Sequence, residues 1–186
     1  SAQDDGIDEM AELMRNDLAA MGFSESEIVP TDGHPGVWGY YDAGAETTLL
    51  VYMMYDVQPV EDNWSIEDPF AGELVDHELG TILMARAATN QKGPERAFLH
   101  AVESILAVEG NLPVNLMVLA EGEEEIGSPH YPQLVDAYED RIRAEADAAF
   151  FPMNIQDRAG KINLALGVKG ILYFEVESRG GDWGGP

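Results

Sequence analysis

The sequence predicts an α/β protein, in which a mixed sheet is flanked by helices. Segments with apolar residues at helical spacing alternate along the chain with short apolar runs typical of strands. Their order is helix, strands, helix, strand, helix, strands, which is the order of a layered sheet with helices packed on it. With 186 residues and 45% hydrophobic residues, the chain can bury a core of this kind.

The first helix is expected to end before Gly22. Its apolar positions lie at helical spacing, and Asp4 or Asp5 is placed to cap its start. Gly22 suits the left-handed conformation in which many helices end. The residues of the apolar face are Ile7, Met10, Leu13, Met14, Leu18 and Met21.

Two strands are expected after a turn region with Pro30, Gly33 and Pro35. They span 37–41 and 47–53, and the second is nearly all apolar, as in a strand buried on both faces. The segments that follow are a loop at 63–70 and the two strands of a hairpin at 72–75 and 81–85.

A second helix is predicted over 94–108. Pro94 suits its first turn and Gly110 ends it. Its expected inner face consists of Phe98, Ala101, Val102, Ile105 and Leu106.

An apolar strand at 116–120 leads into the acidic turn 121–128. A third helix is expected next, with Ser128 as its cap and Pro129 at its first position. Its inward residues are Leu134, Val135, Tyr138 and Ile142, and later strands are expected at 148–151, 162–166 and 171–177.

Composition excludes several classes of function. The chain has 35 acidic and 10 basic residues, a net charge of −25, which opposes binding to nucleic acid and to anionic membranes. It has no cysteine, and therefore no disulfide, thiol nucleophile or Cys-ligated metal. The acid excess is spread along the chain and lysine is scarce, which favours a salt-adapted, halophilic protein over an ordinary acidic cytoplasmic one.

Three predicted strands end in polar segments, which is where α/β proteins place their sites. The segments are 53–59 (MMYDVQP), 85–94 (ARAATNQKGP) and 121–125 (EGEEE). Consecutive carboxylates repel one another and need a cation, a shared proton or full solvation. From the residues alone, a solvated acidic loop and a site remain alternatives.

The three segments, in this order and spacing, resemble the large zinc-dependent amidohydrolase and exopeptidase family (peptidase family M20). It contains carnosinase-like dipeptidases, aminoacylase, acetylornithine deacetylase and succinyl-diaminopimelate desuccinylase. The family patterns are G-H-x-D-V-Q-P, G-R-G-x-x-D-x-K-G-P and E-G-x-E-E-x-G-S. Trp64, the run 68–70 and the segment 167–170 also match.

The resemblance implies part of the catalytic domain of a two-domain metallopeptidase-like protein. Residues 1–179 would form this incomplete domain. Residues 180–186 would be a glycine-rich exit towards an inserted dimerisation and lid domain, which together with the last metal-binding His lies outside this sequence. The expected assembly is a homo-oligomer, such as a dimer, or association with the missing C-terminal part.

The resemblance also implies a chemistry, in which two metal ions polarise an amide carbonyl and a glutamate activates a bridging water. Carried over to this chain, Glu124 would be the general base, Glu125 a metal ligand, and Asp56 the residue that orients a metal-binding His. The family's His is replaced by Met54, and its bridging Asp by Asn90. Another ligand position aligns loosely near Pro152.

These replacements are unfavourable for a metal pair. A thioether is a poor zinc ligand, and a neutral amide oxygen cannot supply an anionic bridge. We therefore expect zinc or another divalent cation to be absent, or single and weakly held. Replacement ligands could come from His34, His77, His100 or His130, with His130 best placed, although surface positions are the more common use of histidine.

Two classes of function remain open. The first is an amide-bond hydrolase of the dipeptidase or deacylase type, which would act on a small peptide or an N-acyl amino acid in the cytoplasm. The second is a non-catalytic ligand-binding or structural relative that kept the fold. Two minor alternatives are a hydroxyl nucleophile at Thr89 with Lys92 as its base, and a soft metal at Met53 and Met54. The substrate itself cannot be read from this part of the chain.

Overall fold

The computed structural model describes residues 6–153 and 161–180. The chain divides into two compact units, Ser1–Asn154 and Ile155–Pro186. The first unit contains three helices: α1 (Ile7–Ala20), α2 (Lys92–Glu109) and α3 (Tyr131–Glu145). Its strands are β1 (Glu25–Val29), β2 (Gly36–Tyr41), β3 (Thr48–Met54), β4 (Glu73–His77), β5 (Gly80–Met84), β6 (Asn115–Glu121) and β7 (Ala148–Phe150).

Five strands form one mixed sheet in the order β1-β2-β6-β3-β7. The β1–β2 and β2–β6 pairs are antiparallel, whereas β3 is parallel to both β6 and β7. This confirms the predicted fold class. Strands β4 and β5 form a separate antiparallel hairpin, within two residues of the predicted bounds.

The two faces of the sheet are covered by different helices. Successive strand residues point to opposite faces, so alternate residues of β6 pack against different helices. On one face, Leu116 and Val118 of β6 share a core with Leu18 of α1 and Val102 of α2. On the other face, Met117 and Leu119 of β6 pack with Trp38 and with Leu134 of α3. The central strand β6 is buried along its whole length.

The helices differ from the sequence prediction in three respects. On α1, Leu13 was expected on the apolar face but is 51% exposed. On α2, Ala101 and Ile105 are exposed, and the buried stripe instead runs through Glu95, Leu99 and Val102. Helix α3 begins at Tyr131, not at Pro129, because a 3₁₀ turn at Glu124–Ile126 and a left-handed Ser128 (φ 55°) come first. Of the predicted inward residues of α3, Leu134 is buried and Tyr138 and Ile142 pack against the same core cluster, whereas Val135 is only half-buried.

Strand β1 was not predicted. Its sequence, ESEIV, is polar and shows no clear alternation, and each of its residues pairs with a residue of β2. The neighbouring strand rather than apolar content therefore sets its conformation.

In the second unit, the strands predicted at 162–166 and 171–177 are wrong. Residues 161–180 contain one isolated bridge, at Ile162, and no regular strand. A strand is stabilised by hydrogen bonds to a neighbouring strand, which apolar sequence alone does not supply. Asp4, Asp5 and residues 181–186, on which a cap and the glycine-rich exit were placed, lie outside the described residues. Within the described ranges, no helix has the length and apolar character that crossing a membrane requires.

Candidate functional site

The candidate site lies at the carboxyl ends of β3 and β6. Because these parallel strands are adjacent, with Met54 opposite Glu121, the segments that follow them leave the sheet at the same edge. The backbone N–H of Tyr55 extends the ladder by donating to the carbonyl oxygen of Glu121 at 2.8 Å. The 53–59 and 121–125 motifs are therefore held together by the sheet itself.

Asp56 is the buried anchor of this site, with 1% of its surface exposed. One oxygen of its carboxylate, Oδ1, accepts the backbone N–H of Glu124 at 3.2 Å, and Oδ2 accepts that of Glu125 at 2.9 Å. A carboxylate that receives two N–H groups fixes the backbone to which they belong. Asp56 thus positions the acidic turn directly, whereas the family resemblance assigns it to a histidine.

The Glu125 carboxylate is held by two side-chain amides. Asn90 donates from Nδ2 to Oε1 at 3.1 Å, and Gln58 donates from Nε2 to Oε2 at 3.1 Å. The same Gln58 nitrogen donates to the Glu125 carbonyl oxygen at 2.8 Å. All three predicted segments therefore meet at Glu125.

Glu124 lies beside these carboxylates. Burial raises its pKa, and the nearby Glu125 and Asp56 charges raise it further. A carboxylate with a raised pKa is a better proton acceptor, which is the property that a general base needs.

A buried ionisable group, Glu95, was missed by the sequence analysis. It is 3% exposed, and its Oε1 accepts the backbone N–H of Met54 at 2.7 Å. Burial raises its pKa to about 8, although that hydrogen bond and nearby Lys92 act in the opposite direction. Glu95 lies at helical spacing from Leu99 and Val102, on the buried stripe of α2. That spacing was the signal in the sequence that could have identified Glu95 as buried.

Lys92 donates from Nζ to the carbonyl oxygen of Tyr55 at 2.5 Å, and burial lowers the pKa of its ammonium group. Within the described part of the chain, no hydrogen bond joins it to Thr89, which is exposed. Lys92 therefore makes a structural contact with the residue that directly follows β3. The arrangement does not support Lys92 as the base that activates a Thr89 nucleophile.

Glu121, like Glu95, is a buried carboxyl group, but it lies on the face of the sheet that α3 covers. Its Oε1 accepts the hydroxyl groups of Tyr52 at 2.7 Å and Ser128 at 2.8 Å, while Oε2 is buried with no hydrogen-bond partner among the described residues. Burial raises the pKa of Glu121, and the two hydroxyl donors oppose this. Ser128 therefore binds Glu121 instead of capping α3.

Within the described residues, the histidines are not grouped into a replacement set of metal ligands. His130, the best candidate, contacts Glu123 through Nδ1 at 2.8 Å. His77 accepts a backbone N–H within the β4–β5 hairpin, and His100 contacts Arg96 on α2. Across residues 6–153 and 161–180, no three His, Asp or Glu side chains are grouped so that they could hold a metal ion.

The residues at the site do not fit the metal pair that the family resemblance implies. The Asn90 amide turns a donor towards Glu125, where a bridging carboxylate would present an oxygen to metal. Met54 is 3% exposed and offers a neutral thioether in place of imidazole. Met53, the other residue of the soft-metal alternative, is fully buried and packs within the hydrophobic core.

An open cavity of about 570 Å³ adjoins the site through Gln58. Its walls include Trp64, Met84 and Arg86. The Arg86 guanidinium lies 5.0 Å from the centre of the Trp64 ring and donates to the carbonyl oxygen of Pro59 at 3.0 Å. The volume is within the range of small-ligand pockets.

Comparison with known proteins gives a consistent result. The sequence model described as Peptidase family M20/M25/M40 matches residues 50–171. The human Beta-Ala-His dipeptidase is 35% identical over 134 residues, which cover 71% of this chain and 25% of that protein. The Cys-Gly metallodipeptidase dug1 of Schizosaccharomyces pombe is 34% identical over 149 residues, or 78% of this chain and 30% of that protein.

Solved structures agree with these sequence matches. The M20 family metallo-carboxypeptidase Sso-CP2 from Sulfolobus solfataricus has a TM-score of 0.75 and 32% identity, covering 87% of this chain and 36% of that one. Human carnosine dipeptidase 1 has a TM-score of 0.66 and 28% identity, covering 78% of this chain and 32% of that one. The chain thus spans between a quarter and two fifths of the length of these relatives.

Proposed function

Because this chain belongs to peptidase family M20/M25/M40, we propose that the protein containing it hydrolyses amide bonds. The substrate class is a small peptide or an N-acyl amino acid, as in a dipeptidase or a deacylase. The dipeptidase names of the human and yeast relatives support this class. The 570 Å³ cavity beside Gln58 has room for a ligand of that size.

The observation that carries the proposal is the pair of hydrogen bonds from the acidic turn to Asp56. They fix the backbone of Glu124 and Glu125 at the end of the sheet, so that the side chain of Glu124 starts from a rigid position. Preorganisation of this kind is what a catalytic carboxylate requires.

In the proposed reaction, Glu124 takes a proton from the attacking water and returns it to the leaving amine. Its pKa, raised by burial and by Glu125 and Asp56, favours proton uptake. The relatives include metallodipeptidases and the family is metal-dependent. Since Met54 and Asn90 do not fit a metal pair, no step is assigned to metal here.

A second candidate function is a non-catalytic, ligand-binding relative. The hydrogen bond from Asn90 to Glu125 favours it, because an amide donor satisfies a carboxylate that the family resemblance assigns to metal. The cavity and the fold would then serve binding alone.

Hydrolysis assays on the full-length protein that contains this chain distinguish the two candidates. The assay uses a panel of dipeptides and N-acyl amino acids, the Glu124→Gln variant, and Glu109→Gln as a control at the exposed end of α2. For a hydrolase, Glu124→Gln should lower kcat at least about 100-fold, the usual contribution of general base catalysis, while Glu109→Gln should not. Binding of these compounds without turnover by the unaltered protein would support the non-catalytic relative.

A further inference from the structure

We propose that two side-chain amides, those of Asn90 and Gln58, hold the Glu125 carboxylate in place of a metal pair, so that this strand-end site assembles without metal. The amide clamp consists of these two residues and Glu125. The inference rests on the proposed function only for the family role of Glu125. Its test measures thermal stability and metal content, so a failed hydrolysis assay would not contradict the inference.

The geometry of the amide clamp accounts for both oxygens of the carboxylate. Oε1 lies 3.1 Å from Nδ2 of Asn90, and Oε2 lies 3.1 Å from Nε2 of Gln58. The backbone of Glu125 is held as well, through its N–H to Asp56 and its carbonyl oxygen from Gln58. Each oxygen that would bind a cation therefore has a donor from the protein.

Charge balance gives the reason for an amide at position 90. The turn that Asp56 anchors already carries two further carboxyl groups, those of Glu124 and Glu125, whose backbone N–H groups lie 3.2 and 2.9 Å from the Asp56 oxygens. A carboxylate at position 90 would face Glu125 Oε1 at the present 3.1 Å, and like charges at that distance repel strongly unless a cation lies between them. The neutral Asn90 side chain avoids that charge and supplies a hydrogen-bond donor to Glu125.

Met54 is consistent with the same replacement of metal by contacts within the protein. Its buried side chain adds neither charge nor a hard ligand, and its backbone N–H is used by Glu95. Buried methionine fills space between packed groups. The position that the family resemblance gives to a metal-binding imidazole therefore serves packing here.

The test is thermal unfolding of the full-length protein that contains this chain, in EDTA and in zinc chloride, with zinc measured by elemental analysis after dialysis. The variant is Asn90→Asp, which replaces the donor by a charge. The matched control is Asn16→Asp, the same chemical change at an exposed position of α1.

For the unaltered protein, we expect the same Tm in EDTA and in zinc, and less than one equivalent of retained zinc. In EDTA, Asn90→Asp should lower Tm by about 1–4 °C, because a repulsive pair replaces a hydrogen bond at a solvent-exposed site. Zinc should restore part of that loss, because a cation between two carboxylates removes their repulsion. Asn16→Asp should stay close to the unaltered protein in both solutions.

Two results would overturn the proposal. One is two retained equivalents of zinc in the unaltered protein, with a Tm that falls in EDTA. The other is an Asn90→Asp variant that melts in EDTA at the same temperature as Asn16→Asp, since the amide of Asn90 would then contribute nothing. The double variant Met54→His with Asn90→Asp adds an independent measurement, because it should retain more zinc than either single variant.

Discussion

The carboxylate of Asp56 accepts the backbone N–H of Glu125 at 2.9 Å, across 69 positions in the sequence. Its second oxygen accepts the N–H of Glu124 at 3.2 Å. This contact joins the end of β3 to the turn after β6 and fixes the direction in which the turn leaves the sheet.

The first prediction concerns Asp56 itself. Asp56→Asn turns an amide donor towards one of the two backbone N–H groups and leaves that group without an acceptor. We expect the free energy of unfolding to fall by about 1–3 kcal/mol, the usual cost of an unsatisfied buried group. Urea denaturation measures it. The control is Asp42→Asn, where an exposed Oδ1 accepts the N–H of Gly44. An equal effect of both changes would contradict a positioning role for Asp56.

The second prediction concerns pH. Burial raises the pKa of Glu95 to about 8, so the folded protein binds a proton that the unfolded chain releases above about 4.5. Stability from this group is fully present below pH 4.5 and is lost as pH rises to about 8. The total is on the order of a few kcal/mol.

Glu95→Gln mimics the protonated side chain and should flatten this part of the stability profile, measured by urea unfolding from pH 4.5 to 8. Glu103→Gln, on the exposed face of the same helix, should keep the slope of the unaltered protein. The raised pKa values of Glu121 and Glu124 leave some slope in every variant, so the prediction fails if Glu95→Gln has the same slope as the unaltered protein.

The third prediction concerns the pair of hydroxyl groups at Glu121. Tyr52→Phe removes the donor at 2.7 Å and leaves Ser128 as the remaining donor to Oε1. We expect a loss of about 1–3 kcal/mol, since the other carboxylate oxygen already lacks a partner within the described structure. Tyr173→Phe, at a tyrosine 91% exposed, is the matched control and should change the free energy of unfolding very little. An unchanged midpoint for Tyr52→Phe would rule out this contribution.

The fourth prediction concerns salt. With a net charge of −25 over 186 residues, repulsion between surface carboxylates opposes the compact state at low ionic strength. Salt shortens the distance over which the charges act from about 10 Å at 0.1 M to about 3 Å at 1 M. We expect Tm to rise as KCl increases from 0.05 to about 1 M, measured by scanning calorimetry. A Tm that does not change over this range would contradict salt adaptation.

Most of the elements and all three site motifs could be predicted from the order of residues alone. Apolar spacing located α1 and α2, and the apolar runs located β3 and β6, because local periodicity reports which face of an element is buried. The three polar segments at strand ends indicated the family and placed Asp56, Asn90, Glu124 and Glu125 on the list of site residues. The family assignment was confirmed by the match over residues 50–171.

The contacts of those residues could not be predicted in this way, because they depend on the folded arrangement of the strands. Asn90 and Glu125 are 35 positions apart, and Gln58 and Glu125 are 67 apart, so their hydrogen bonds depend on which strands are neighbours in the sheet. The pairing of the polar strand β1 with β2 and the burial of Glu95 have the same origin. Hydrogen bonds and desolvation act between groups that are close in space, whereas periodicity describes groups that are close in sequence.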